Sequence, residues 1–185
     1  MKKITLISGA GRGIGKEIAF KFGRENHKLI LLVFKKKQKD ELQKILKKKK
    51  IDFQIIVGDL KDLKFIKLLN KKIKKIDNLV NNAAVANTKY FTNVTQGDLD
   101  NLIEINLKVP FRLSQIFAKK MIKNKIKGCI INITSQLGHT AAFNRSIYCM
   151  SKFGLEGLNK ALALDLGKHG IRSIAVAPTK TIVNQ

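Results

Sequence analysis

Short apolar runs punctuate the chain: ITLIS (4–8), LILLVF (29–34), IDFQIIV (51–57), DNLVNNA (77–83), GCIINIT (128–134) and IRSIAVA (171–177). They are rich in β-branched residues and mostly lack polar alternation, which predicts strands covered on both faces. Between them the period changes. Ile14, Ile18 and Phe22 recur at i, i+4 and i+8, the spacing of a helix face. Similar patterns run near 39–49, 61–75, 95–125 and 146–168. Strand then helix, repeated, predicts an α/β chain with one doubly wound parallel sheet in three α/β/α layers. Ligands of such sheets bind beyond the carboxyl ends of the strands, near the point where strand order reverses. Chemistry is therefore to be sought just after each strand.

Composition narrows the picture. The 185 residues, 44% of them apolar, suit a single domain over 1–185 with a sizeable core. No apolar run reaches the roughly 18 residues of a membrane span, so no membrane partner is expected. The start, MKKITLISGAGRGIG, has two lysines but an apolar stretch of Ile4 to Ile7 alone. That is too short for a signal peptide, so it reads as a first strand and the chain as cytoplasmic. Cys129 and Cys149 form no C-x-x-C pair and read as buried free thiols. His27, His139 and His169 have no metal-ligand spacing, and no metal is expected. The formal charge of +24 invites a nucleic-acid partner. Against it, 32 of the 37 basic residues are Lys, on presumed outer helix faces and without interleaved aromatics. Phosphate and base recognition favours Arg forks and stacking side chains.

The first strand ends in SGAGRGIGKEI (8–18), with glycines at 9, 11, 13 and 15. A P-loop would need glycine at Ala10 and Ser or Thr at Glu17, and a G-x-G-x-x-G fingerprint from Gly9 would need glycine at Ile14. The loop fits neither. Its place, after a strand and opening a helix, still suits a phosphate. Bare backbone can approach the anion, and the helix N-terminus presents free N–H groups.

Further motifs follow the later strands. Asn81-Asn82-Ala83-Ala84 follows the fourth, Asn106 lies in EINLKVPF, Ser135 ends the fifth in NITSQLG, and Tyr148 and Lys152 form Y-x-x-x-K. With the G-x-x-x-G-x-G spacing of Gly9, Gly13 and Gly15, this set resembles the short-chain dehydrogenase/reductase family over the whole chain. Ala84 departs from the family's Asn-Asn-Ala-Gly. The resemblance implies a Rossmann-type fold with strand order 3-2-1-4-5-6. It also implies hydride transfer between a nicotinamide cofactor and a carbonyl or secondary alcohol, with Asn106, Ser135, Tyr148 and Lys152 as catalytic tetrad. In the family the lysine also holds the nicotinamide ribose and the asparagine a relay water.

The residue types have their own logic. Positions 148 and 152 share a helix face, and an ammonium beside a phenol favours the phenolate. A tyrosine so placed can give or take a proton, and a serine hydroxyl can donate to a carbonyl oxygen as charge develops there. By position the cofactor should also meet Gly11, Arg12, Ile14, Asp59, Leu60, Asn82, Ala83, Ala84, Pro178 and Thr179. NAD usually meets an acid after strand two. Here that stretch is Val33-Phe34-Lys35-Lys36-Lys37. Arg12 and Lys35 could instead meet a 2′-phosphate, so NADP(H) is expected over NAD(H).

On the substrate side the loop QLGHTAAFNRSI offers Gln136, His139, Asn144 and Arg145 as polar contacts. The surrounding stretch resembles bacterial sugar and sugar-acid dehydrogenases and carrier-protein-linked ketoacyl reductases of the family. The resemblance also implies a covering segment, more helix and a seventh strand after APTKTIVNQ, and homodimers or homotetramers of a full-length chain through the helices near 95–125 and 146–168. With Gln185 last, the expectation is a C-terminal truncation that leaves strand six an edge. The alternative to an enzyme is then a module that binds dinucleotide with little or no turnover.

Overall fold

The computed structural model describes residues 2–179; the tail at 180–185, which the expected truncation concerns, lies outside the described residues. The elements follow in order: β1 (Ile4–Ser8), α1 (Gly13–Arg24), β2 (Lys28–Val33), α2 (Lys36–Lys48), β3 (Phe53–Val57), α3 (Leu63–Lys72), β4 (Asn78–Asn81), α4 (Gln96–Ile103), α5 (Val109–Lys123), β5 (Cys129–Ile133), α6 (Ser146–Gly167) and β6 (Arg172–Val176). All strand pairs are parallel, in the order β3-β2-β1-β4-β5-β6. This is the expected Rossmann-type arrangement.

The apolar runs of β1 and β2 serve two cores at once. Leu6, Ile30 and Leu32 face one side, with Phe65 and Leu69 of α3 and Leu113 and Phe117 of α5. Ile7, Leu29 and Leu31 face the other, with Phe20 of α1 and Leu42 and Leu46 of α2. Each such side chain contributes about 1.5–3 kcal/mol when fully buried, and double-sided covering explains the missing polar alternation. The expectation fails for the two outer strands. Among the described residues β3 and β6 are the sheet edges. β6 alternates exposed and half-buried positions, with Ile174 and Val176 exposed.

The pattern over 95–125 predicts one helix; the structure has two, joined by a π-helical turn over Glu104–Lys108. Pro110 is the cause. It has no N–H for the Asn106 carbonyl, so the regular ladder cannot run through. The Val109 N–H reaches back to the Glu104 carbonyl instead.

Four helices end alike. The N–H groups of His27, Ile51, Ile126 and Ile171 reach the carbonyls of Phe22, Leu46, Met121 and Leu166, closing α1, α2, α5 and α6. Each closure needs a left-handed residue just before it: Asn26, Lys50, Lys125 and Gly170. Lys50 (φ 53°) and Lys125 (φ 54°) take up a conformation that favours glycine. Lys50→Gly and Lys125→Gly are each expected to raise stability by about 0.5–1 kcal/mol, the left-handed penalty less glycine's extra chain entropy. Thermal unfolding checks this; a lower Tm in both would overturn it.

Candidate functional site

Strand order reverses between β1 and β4, and the glycine loop leaves the sheet beside the Asn81-Asn82 segment at that point. Gly9 has φ 65°, and a Cβ there would lie 2.8 Å from Ala83 Cα. A Cβ on Gly15 would lie 2.4 Å from the Gly9 carbonyl oxygen. The loop is therefore packed backbone against backbone on the segment after β4 and on the start of α1. Hydrogen bonds fasten them. The Asn82 Nδ2 donates to the carbonyls of Ser8 (3.1 Å) and Gly9 (3.0 Å). Ser8 Oγ accepts from the N–H groups of Asn82 and Ala83 and donates to the Val80 carbonyl. Ser8 is not singled out by the sequence; its signal is a hydroxyl at the carboxyl end of β1. α1 then starts at Gly13 with no side chain capping it and no acid in its first turn. Its first amides and dipole are left available to an anion.

A cleft of about 290 Å³ opens here, lined by Ile14, Asn82, Ala84, Ile133, Thr134, Ser135, Tyr148, Lys152, Pro178 and Thr179. A larger groove, about 480 Å³, lies between α5 and α6 around Leu107, Phe111 and Leu158, and holds none of the predicted residues. The cleft brings together Ser135, Tyr148 and Lys152 from two elements. Ser135 leaves β5 in extended backbone and its Oγ accepts from the Leu137 N–H at 3.2 Å, which leaves its own proton free to donate. Lys152 is buried on α6; its Nζ donates to the Ile133 carbonyl at 2.9 Å and lies 5.7 Å from the centre of the Tyr148 ring. Burial lowers its pKa to about 8, so at neutral pH it still carries its proton.

Asn106 sits in the π turn and is buried. Its Oδ1 accepts from the Val85 N–H and its Nδ2 donates to the Val85 carbonyl, both at 2.9 Å. The same Nδ2 reaches Ser151 Oγ (3.2 Å), which donates to the Tyr148 carbonyl (2.8 Å). Asn106 thus ties the segment after β4 to α6, one bond removed from Tyr148.

The other predicted residues lie around this centre. Gly11 packs on Gln38, where a Cβ would come 2.8 Å from Cδ. The Gln38 side chain accepts from the N–H groups of Phe34 and Lys35. The loop carrying exposed Arg12 therefore meets the start of α2 beside Lys35. Gly13 shares the left-handed backbone of Gly9, with φ 53°. Asp59 Oδ1 accepts from the Lys61 N–H, and Leu60 packs on the first core. Of the four substrate-side candidates, none lines the cleft. His139 Nε2 pairs with Glu156 (3.1 Å), and Arg145 donates to the Asn87 carbonyl. The Asn144 carbonyl accepts from the Lys89 N–H, and the Gln136 N–H donates to the Pro178 carbonyl. Among the described residues, no helix is long and apolar enough to cross a membrane.

Residues 3–184 match the family described as short chain dehydrogenase. The chain belongs to that family. Its relatives in it include the mouse L-xylulose reductase, 33% identical over 95% of this chain and 70% of the relative. The 3-oxoacyl-acyl-carrier-protein reductase of Rickettsia conorii is 37% identical over 95% of this chain and 71% of its own. A metagenomic short-chain oxidoreductase solved with NADP superposes with a TM-score of 0.90 at 30% identity, covering 97% of this chain and 83% of its own. The chain is thus an NAD(P)-dependent oxidoreductase of the short-chain dehydrogenase family.

Proposed function

We propose that this short-chain dehydrogenase interconverts a carbonyl compound and a secondary alcohol with NADP(H), using Ser135, Tyr148, Lys152 and Asn106. The observation that carries the reading is the single cleft where Ser135, Tyr148 and Lys152 meet Asn82 and the uncapped start of α1. The dinucleotide fits these residues. The close-packed glycine loop and first-turn amides would hold its pyrophosphate. Asp59 and Leu60 would meet the adenine edge, and Ala83, Ala84, Pro178 and Thr179 the nicotinamide half. Lys152 would hold the ribose. The bound nicotinamide supplies or accepts the hydride.

In the reducing direction the Ser135 hydroxyl donates to the substrate oxygen as negative charge develops on it. Tyr148 gives that oxygen its phenolic proton, and the Lys152 ammonium stabilises the phenolate left behind. Asn106 holds the segment after β4 against α6, and its Oδ1 keeps a second lone pair for a relay water.

The cofactor choice rests on charge. No acid follows β2, while Arg12 and Lys35 stand at neighbouring loop ends. Charge-assisted hydrogen bonds of about 1.5–3 kcal/mol predict a Michaelis constant for NADPH roughly tenfold or more below that for NADH. The assay is nicotinamide absorbance over a panel of sugar, acyl and simple ketones. Equal constants, or a preference for NADH, would overturn the NADP(H) reading. Consumption of neither cofactor with any ketone would overturn the proposal as a whole.

A further inference from the structure

In this fold every helix runs back from the cleft. The last turns of α1, α2, α3, α5 and α6 therefore meet the first residues of β1, β2 and β6 at the opposite end of the sheet. Read along the sequence, the lysines spread over outer helix faces. The fold instead gathers many of them at this one end. The last turns of α1, α2, α3 and α5 are all basic. The runs at 47–50, 71–75 and 123–127 continue past their helices, and Lys2, Lys3 and Lys28 open the first two strands, all of these lysines exposed. Acids here are few, namely Glu25, Asp52, Asp77 and Asp165. Of these, Glu25 pairs with Lys21 (3.1 Å) and Asp77 accepts from the Ile4 N–H (2.7 Å).

Dipole complementation explains one or two lysines in a last turn. It does not explain runs that continue beyond the helix. Nor does it explain lysine at the left-handed closures of α2 and α5, where α6 uses Gly170. The charges press on one another. Lys120 has its pKa lowered first by burial and then by Lys74 and Lys123.

The kind of charge selects the partner. These are hydrated ammonium groups, with Arg24 and Arg172 the guanidinium exceptions. The exposed aromatic side chains and both cavities lie elsewhere. The charge spreads over the ends of all three layers as one broad face. That shape and chemistry suit a flat array of phosphates, and lack the forks and stacking platforms that read bases. We propose that this end of the molecule docks on an anionic lipid bilayer through lysine contacts to headgroup phosphates, with the cleft at the far end open to water.

The test is cosedimentation of the whole chain with phosphatidylcholine vesicles carrying about a third phosphatidylserine, beside vesicles of phosphatidylcholine alone, at low and high salt. Binding is expected to the anionic vesicles alone and to vanish at high salt. K71Q/K72Q/K74Q/K75Q should weaken it by about tenfold or more. K36Q/K37Q/K39Q removes three charges from the first turn of α2, nearer the cleft, and should weaken it less than about twofold. K47Q/K48Q/K49Q repeats the test on a second helix end, so that misfolding of one set, seen by circular dichroism, leaves the other decisive. Equal losses in pole and control sets, no vesicle binding at low salt, or tighter binding to duplex RNA than to the vesicles would each overturn the proposal.

Discussion

Tyr148→Phe is expected to lower turnover by about 10²- to 10⁴-fold, the usual contribution of a positioned acid–base group, while the dinucleotide still binds. The substitution is narrow. Phenylalanine keeps the ring beside the Lys152 ammonium and the packing of the first turn of α6. The Lys152 bond to the Ile133 carbonyl does not involve the phenol. On the proposed mechanism, what is lost is the hydroxyl that passes a proton to the substrate oxygen. Ser135 cannot replace it, because an alkyl hydroxyl is a far weaker acid than a phenol. Calorimetric titration with NADPH, read beside the initial rate, separates binding from chemistry. An undiminished rate would refute the role of Tyr148.

Asn132→Ala is expected to destabilise the fold by about 1–3 kcal/mol, since it removes two buried side-chain hydrogen bonds at about 0.5–1.5 kcal/mol each, while Asn81 Nδ2 keeps Ser114 and Asn159 Oδ1 keeps Ser173 as partners. Asn132 is fully buried in β5. Its Oδ1 accepts from Asn81 Nδ2 at 2.9 Å, and its Nδ2 donates to Asn159 Oδ1 at 3.0 Å. The chain of amides continues to Ser114 on one side and to Ser173 on the other. It therefore links β4, β5, β6, α5 and α6 through side chains. One end is already imperfect, for Asn81 Oδ1 is buried with no hydrogen-bond partner among the described residues. Breaking the middle removes a measurable share of the roughly 5–15 kcal/mol that holds a typical domain together. The consequence reaches the site. Asn81 and Asn132 are direct register partners, so both strands deliver their cleft residues at one level. Urea unfolding of Asn132→Ala, Asn159→Ala and the double variant measures the effect. A loss below about 0.5 kcal/mol in Asn132→Ala, the least that one such bond contributes, would show the ladder to be dispensable.

These two residues differ in how far the sequence reveals them. Tyr148 is legible as a candidate through its company, because Lys152 must share its helix face and Asn106 and Ser135 precede it in the order that resembles the family's. Asn132 reads as a polar interruption in an apolar run, since its partners come from positions 81 and 159, far along the chain. Ser8 is hidden for the same reason. Its value lies in the Asn82 and Ala83 amides, brought beside it when β1 pairs with β4. The π turn was legible in principle, because Pro110 forbids a continuous ladder, but the apolar period on either side masks it.

By itself, then, the sequence determined the alternation of strands and helices, the parallel sheet and the loops that carry the candidate chemistry. Those follow from local period, turn residues and the rule that ligands sit at strand ends, all of which act within a short stretch of chain. The tertiary structure decided which strands lie at the exposed edges, how the amide ladder closes and where Asn106 directs its side chain. It also decided that lysines scattered along the sequence collect at one end. Each of these depends on which distant segments become neighbours, and no local pattern records that.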